Sequence, residues 1–139
     1  MKKFEQFYKK GDVVWAPFPY KDDADKSKER PVLLLSSDLY RNAFICAYIS
    51  SKLNEKPRMI RILRRGFKEG YINNDYKASY IRPDIVYTLN KSLIERKYGT
   101  LKDEVVDKVI QTLIELLQKL PEVPSVPKSF ERPPKRKTF

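Results

Sequence analysis

Five short runs of β-branched and aromatic residues, separated by polar stretches, constrain this chain more than any other feature. They are DVVWAPFPY (12–20), PVLLLSS (31–37), NAFICAYISS (42–51), RMIRIL (58–63) and SYIRPDIVYTL (79–89). PVLLLSS reads as a strand buried on both faces, and RMIRIL alternates basic and apolar residues as a half-exposed strand does. Pro17 and Pro19 point to an edge or a bent end, and Pro83 to a bulge or an edge, because proline gives a ladder no donor. Short strands in succession predict a mainly β domain, either a small antiparallel barrel or a strongly curved sheet.

One helix follows. In TLKDEVVDKVIQTLIELLQKL (100–120), Val106, Val109, Leu113, Leu116, Leu117 and Leu120 fall on one face at helical spacing. Thr100 with Asp103 has the form of a capping box, and Asp103 and Glu104 suit the positive end of the helix dipole. Pro121 ends the helix, and its apolar stripe is expected to pack on the sheet. From there the chain reads PEVPSVPKSFERPPKRKTF, with five prolines and five basic residues. Residues 1–120 are therefore read as one barrel domain and 121–139 as a basic, proline-rich, flexible tail. The segment KDDADKSKER (21–30) reads as a long charged loop leading to Arg30.

The 139 residues hold 29 Lys and Arg against 18 Asp and Glu, a formal charge of +11. A surface rich in both signs would explain the abundance of charge but not its one-sidedness, which favours a polyanionic partner. With no signal-peptide core and no apolar run of membrane-spanning length, the expected location is cytoplasmic.

The same counts restrict the chemistry. With no His and a single Cys, no zinc site of the usual ligand types is expected, nor a Cys–His nucleophile. Only four glycines are present, and no phosphate-cradling glycine loop is found. Neither metal nor cofactor is expected. Arg, Ser, Thr, Tyr and Lys near strand ends remain. Arginine matches a phosphodiester because its planar fork donates two parallel hydrogen bonds. Ser50 and Ser51 follow FICAYI where a strand leaves the core; by residue type alone they read first as strand terminators.

The segments KKGDVVWAPFPY, ERPVLLLSSD, AYISSK, SYIRPDIVYTLNKSLI and YGTLKDEVVDKVIQTLIELL, in this order, resemble the MazF/PemK-type toxins of toxin–antitoxin modules. The resemblance runs from about Lys10 to Leu120. It implies an SH3-like twisted antiparallel barrel with a C-terminal helix, a homodimer, and a cognate antitoxin. It also implies a metal-independent endoribonuclease that cuts single-stranded RNA with the ribose 2′-hydroxyl as nucleophile. By position in the motifs, Arg30 and Ser50 are the implied catalytic residues, and Lys28, Ser51, Lys52, Ser79 and Arg82 the implied RNA contacts. Where many relatives have acid–Gln–Ile–Arg, this chain has Asp84-Ile85-Val86-Tyr87. An alternative reading is a non-catalytic barrel that binds nucleic acid or inhibits a protein target such as DNA gyrase.

Overall fold

The computed structural model describes residues 7–19, 27–39, 42–51, 58–72 and 78–119. Residues 21–26 of the loop expected over 21–30, Leu120 of the expected helix stripe and the tail from 121 onward lie outside them. Among the described residues, seven strands precede one helix: β1 (Asp12–Pro19), β2 (Ser27–Leu34), β3 (Ala43–Ser50), β4 (Ile60–Arg61), β5 (Phe67–Gly70), β6 (Tyr80–Asn90), β7 (Arg96–Leu101) and α1 (Asp103–Gln118). They form one antiparallel sheet in the order β4-β6-β3-β2-β1-β7-β5.

That order forces the sheet to curl. Its two edge strands, β4 and β5, are joined by residues 62–66, which include a 3₁₀ turn at Arg64–Gly66. A flat seven-stranded sheet is about 29 Å across, whereas the chain from Arg61 to Phe67 spans at most about 20 Å when extended. The edges therefore approach each other, and the sheet becomes a curled half-barrel with an enclosed and an outer face. The enclosed face gathers Val13, Leu33, Ala47, Ile49, Ile60, Phe67, Ile81 and Leu101, closed by Val106 and Val109 of α1. The outer face carries Val14, Ala16, Phe18, Val32, Leu34, Phe44, Cys46 and Leu89, partly covered by Tyr8, Tyr48, Ile85, Tyr87 and Ile94. β2 and β3 supply both faces, which explains their nearly unbroken apolar runs.

The prolines obey the ladder rule. β7 pairs with β1 only from Asp12 to Trp15, so Pro17 and Pro19 lie where β1 has β2 as its one neighbour among the described strands. On β6 the register slips from Tyr48 opposite Arg82 to Ala47 opposite Val86, leaving Pro83, Asp84 and Ile85 out of step. The bulge expected at Pro83 is present. Gly70 and Gly99 allow β5 and β7 to touch: a Cβ on Gly70, whose φ is +72°, would lie 2.3 Å from the Tyr98 carbonyl oxygen.

Several expectations are corrected. β2 begins at Ser27 rather than Pro31, so Lys28, Glu29 and Arg30 belong to a strand and not to a loop. RMIRIL contributes only Ile60 and Arg61 as paired strand. β5 and β7 were not anticipated. Thr100 does not cap the helix: Lys102 occupies the N-cap position, and no side chain caps there. The Thr100 hydroxyl instead donates to Asp12 Oδ1 at 2.7 Å. Asp12 is fully buried and also accepts from the Lys9 backbone N–H at 2.9 Å, with Lys97 Nζ 3.8 Å away. A buried carboxylate without such donors would be costly, and this demand outranks a surface cap. The helix stripe is buried at Val106 and Val109, but Leu117 is 75% exposed. No helix among the described residues is long and apolar enough to cross a membrane.

Candidate active site

Strand alternation decides which side chains meet. On β2, Arg30 lies on the same face as Val32 and Leu34, the outer one, directly opposite Ala16 of β1. The small Ala16 leaves room over the sheet for the guanidinium. On β3, Tyr48 and Ser50 share that face with Cys46. The β2–β3 ladder ends at Val32 opposite Tyr48; two residues further along, the strands carry Arg30 and Ser50 on this same side. On β6, Arg82 stands opposite Tyr48 and Tyr80 opposite Ser50. One end of the outer face thus collects Arg30, Tyr48, Ser50, Tyr80 and Arg82 from three adjacent strands.

The two arginines are held differently. Arg82 forms a fork with Asp84, Nε to Oδ1 at 3.0 Å and Nη2 to Oδ2 at 2.8 Å. Its charge is locally neutralised. Arg30 Nη1 donates to the Tyr48 hydroxyl at 2.7 Å, and its guanidinium carbon lies 4.6 Å from the centre of the Tyr48 ring. Among the described residues Arg30 makes no ion pair, and its shielded Nε meets no acceptor. A shielded donor without an acceptor is uncommon, because each one costs stability. With no described carboxylate against it, this arginine keeps its positive charge to offer an anion.

An aromatic base supports it. Phe18 meets Tyr48 edge-on at 5.1 Å and Tyr87 at 4.4 Å between ring centres. The Tyr87 hydroxyl donates to the Pro17 carbonyl. Burial raises the Tyr87 phenol above its ordinary 10.0, with neighbouring Cys46 adding to the rise. Burial likewise pushes the Cys46 thiol above its ordinary range, so thiolate is scarce at neutral pH and Cys46 packs as a small hydrophobe.

The remaining sequence-derived residues divide. Lys28 is exposed on β2, opposite Phe18 and on the same face as Arg30. Ser51 is exposed just past β3, and Lys52 lies outside the described residues. Ser79 is buried and alternates with Ile81 onto the enclosed face, away from Arg30. Tyr48 and Tyr80 were missed by sequence reasoning. Their signal was available: in AYISS, Tyr48 sits two residues before Ser50 and so shares its face.

A family model described as the PemK-like, MazF-like toxin of type II toxin–antitoxin systems matches residues 9–117. No curated protein matches the chain by sequence. Among solved structures, MazF from Deinococcus radiodurans superposes with a TM-score of 0.61 at 17% identity, over 83% of this chain and 100% of that one. The MazE–MazF complex of the same organism gives 0.59 at 19% identity over 81% and 97%. A mycobacterial endoribonuclease in complex with its cognate antitoxin gives 0.55 at 15% identity over 82% and 99%. At these identities the likeness concerns the fold.

Proposed function

The chain belongs to the PemK-like, MazF-like toxins of type II toxin–antitoxin systems, and from that premise we propose that it is an endoribonuclease that cuts single-stranded RNA without a metal ion. The carrying observation is Arg30: a guanidinium on the outer face, set beside a tyrosine hydroxyl, with no described carboxylate against it. In the proposed reaction the ribose 2′-oxygen attacks the adjacent phosphorus and loses its proton. The bond to the 5′-oxygen breaks, that oxygen takes up a proton, and a 2′,3′-cyclic phosphate forms. The substrate supplies the nucleophile, so the protein's task is to hold the phosphate and stabilise the charge of the pentavalent phosphorane. Arg30 performs the second role, with Tyr48 fixing the plane of its fork. Ser50 holds a non-bridging oxygen or orients the 2′-hydroxyl. Lys28 and Ser51 contact the strand on either side. Arg82, neutralised by Asp84, shapes the surface rather than adding charge.

The same reading takes a homodimer as the working form and an antitoxin as the inhibitory partner. Support for the antitoxin comes from solved neighbours that are themselves toxin–antitoxin complexes. The test is cleavage of single-stranded RNA by the purified protein in EDTA, with end analysis for the cyclic phosphate. Ser50→Ala is expected to lower single-turnover cleavage at least tenfold without moving the melting temperature. Growth arrest on expression with intact cellular RNA would transfer the case to the non-catalytic reading.

A further inference from the structure

A second feature lies at the edge of the half-barrel, where β4, the 3₁₀ turn at Arg64–Gly66 and the first turn of α1 meet. A cavity of about 210 Å³ opens there, with Arg61, Arg65 and Lys102 among its lining residues, against apolar walls of Leu63, Leu101 and Val105. Glu104 is its one carboxylate among the described residues. Neighbouring cations are engaged elsewhere: Arg58 with Glu115 at 2.9 Å, Lys68 with Asp103 at 3.4 Å, and Arg64 over the Tyr71 ring at 4.2 Å. Arg61, Arg65 and Lys102 form no ion pair with any described residue. At roughly 30 Å³ per water, the cavity has the volume of about seven waters, more than a phosphate group needs.

The register ties this cavity to Arg30. Arg61 stands opposite Tyr80, and Tyr80 opposite Ser50; the next strand, β2, carries Arg30 at the same end. One row therefore crosses the sheet from Arg30 through Ser50 and Tyr80 to Arg61, about 14 Å over three strand spacings. Cations stand at both ends, with a hydroxyl and a half-buried aromatic between them. A tyrosine in that position offers a ring on which a base stacks, as in grooves that track single strands.

We propose that Arg61, Arg65 and Lys102 form a second phosphate-binding subsite that anchors the RNA strand one or more nucleotides from the scissile phosphate at Arg30. The proposal rests on the endoribonuclease reading above. The apolar walls receive sugar or base while the three cations hold the phosphate. Because the row is about 14 Å long, a strand must be long enough to lie over both ends before the subsite contributes.

The experiment uses the full-length protein and fluorescently labelled, 2′-O-methylated single strands of mixed sequence, which bind without being cut. Affinity is measured by anisotropy across a salt series for strands of two and about twelve nucleotides. Arg61→Gln/Arg65→Gln/Lys102→Gln, which keeps much of each aliphatic stem, is compared with Lys10→Ala/Lys108→Ala/Lys119→Ala, which removes the same charge from exposed positions elsewhere. A single Lys102→Glu variant provides a second route should the triple variant not fold. The expected result is affinity for the longer strand weaker by about tenfold in the subsite variants, with the salt slope reduced by about 0.7 for each phosphate no longer held. The shorter strand is expected to change no more than with the charge control. Equal effects of subsite and control variants on the longer strand would overturn the proposal while leaving the endoribonuclease reading intact. So would RNA binding that is unchanged alongside weakened binding of an acidic peptide, which would make the cavity a protein-docking site. Wild-type protein that neither binds nor cuts single-stranded RNA would overturn both.

Discussion

Replacing Arg30 by alanine separates a functional arginine from a structural one, because the structure assigns very different magnitudes to the two. Among the described residues, Arg30 makes one side-chain hydrogen bond, 2.7 Å to the Tyr48 hydroxyl, and contact with that ring. Together these stabilise by about 1–2 kcal/mol. Removal of the side chain also removes a shielded Nε that has no acceptor among the described residues, which returns a comparable amount, since an unsatisfied buried donor costs about 1–3 kcal/mol. The net effect on folding is expected within about 1 kcal/mol, a melting shift of a few degrees. An arginine locked in a buried ion pair would instead cost about 3–5 kcal/mol on truncation. The barrier to cleavage responds on another scale, because loss of a donor aimed at transition-state charge costs roughly 10²–10³ in rate. The assay is single-turnover cleavage of a single-stranded RNA with protein in excess and EDTA present, alongside thermal melting by circular dichroism. A variant that folds and cuts within about threefold of the parent rate would refute the assignment of Arg30. A large loss of melting temperature would show that the residue serves the fold.

Tyr48→Phe removes only the hydroxyl that holds the Arg30 fork, so a five- to tenfold drop in cleavage rate is expected with stability changed by about 1 kcal/mol or less; parallel rate and melting measurements check it. Asp12→Ala strips the acceptor from the Thr100 hydroxyl and from the Lys9 backbone N–H. A loss of about 3 kcal/mol is expected from the midpoint of a denaturant titration. The pH dependence has a defined sign. Cys46 and Tyr87 are both acids raised by burial above 9.0 and 10.0 respectively, so the unfolded chain gives up these protons first. Their stabilising contribution is complete below about pH 8 and is lost progressively as pH rises past 9 toward the raised folded values. Guanidinium titrations at pH 7.5 and 10 check this, and Cys46→Ala should lessen the fall.

Tertiary pairing accounts for most of what the sequence left unread. The long apolar runs revealed β1, β3 and β6, and helical spacing revealed α1, because burial on a whole face or stripe leaves a periodic mark. KERP has no such mark: two charged residues, an arginine and a proline read as loop. They become strand because β1 offers them partners, with Ala16 opposite Arg30 and Trp15 opposite Pro31. β5 and β7 are equally hidden, being short, charged and interrupted by Gly70 and Gly99, whose value lies in the close approach of two backbones. Thr100 shows a local rule losing to a distant one, since its hydroxyl serves a carboxylate 88 residues away rather than the helix it precedes.

The candidate site divides along the same line. Excluding histidine, cysteine and metal chemistry, and then matching motifs, reached Arg30 and Ser50 without any geometry. Tyr48 required only strand alternation applied to AYISS. Whether an arginine is free or neutralised could not be read in that way: Arg30 and Arg82 both stand beside prolines in the sequence, yet Asp84 occupies the fork of one and no described carboxylate that of the other. The row linking Arg30 to Arg61 lies deeper still. It depends on β4 pairing beyond β6, on Ser50 ending β3 opposite Tyr80, and on a register slip at Pro83 further along β6. A one-residue change in any of these registers would turn a row member to the enclosed face. An arginine in a segment that reads only as a half-exposed strand thereby comes into line with the candidate catalytic pair.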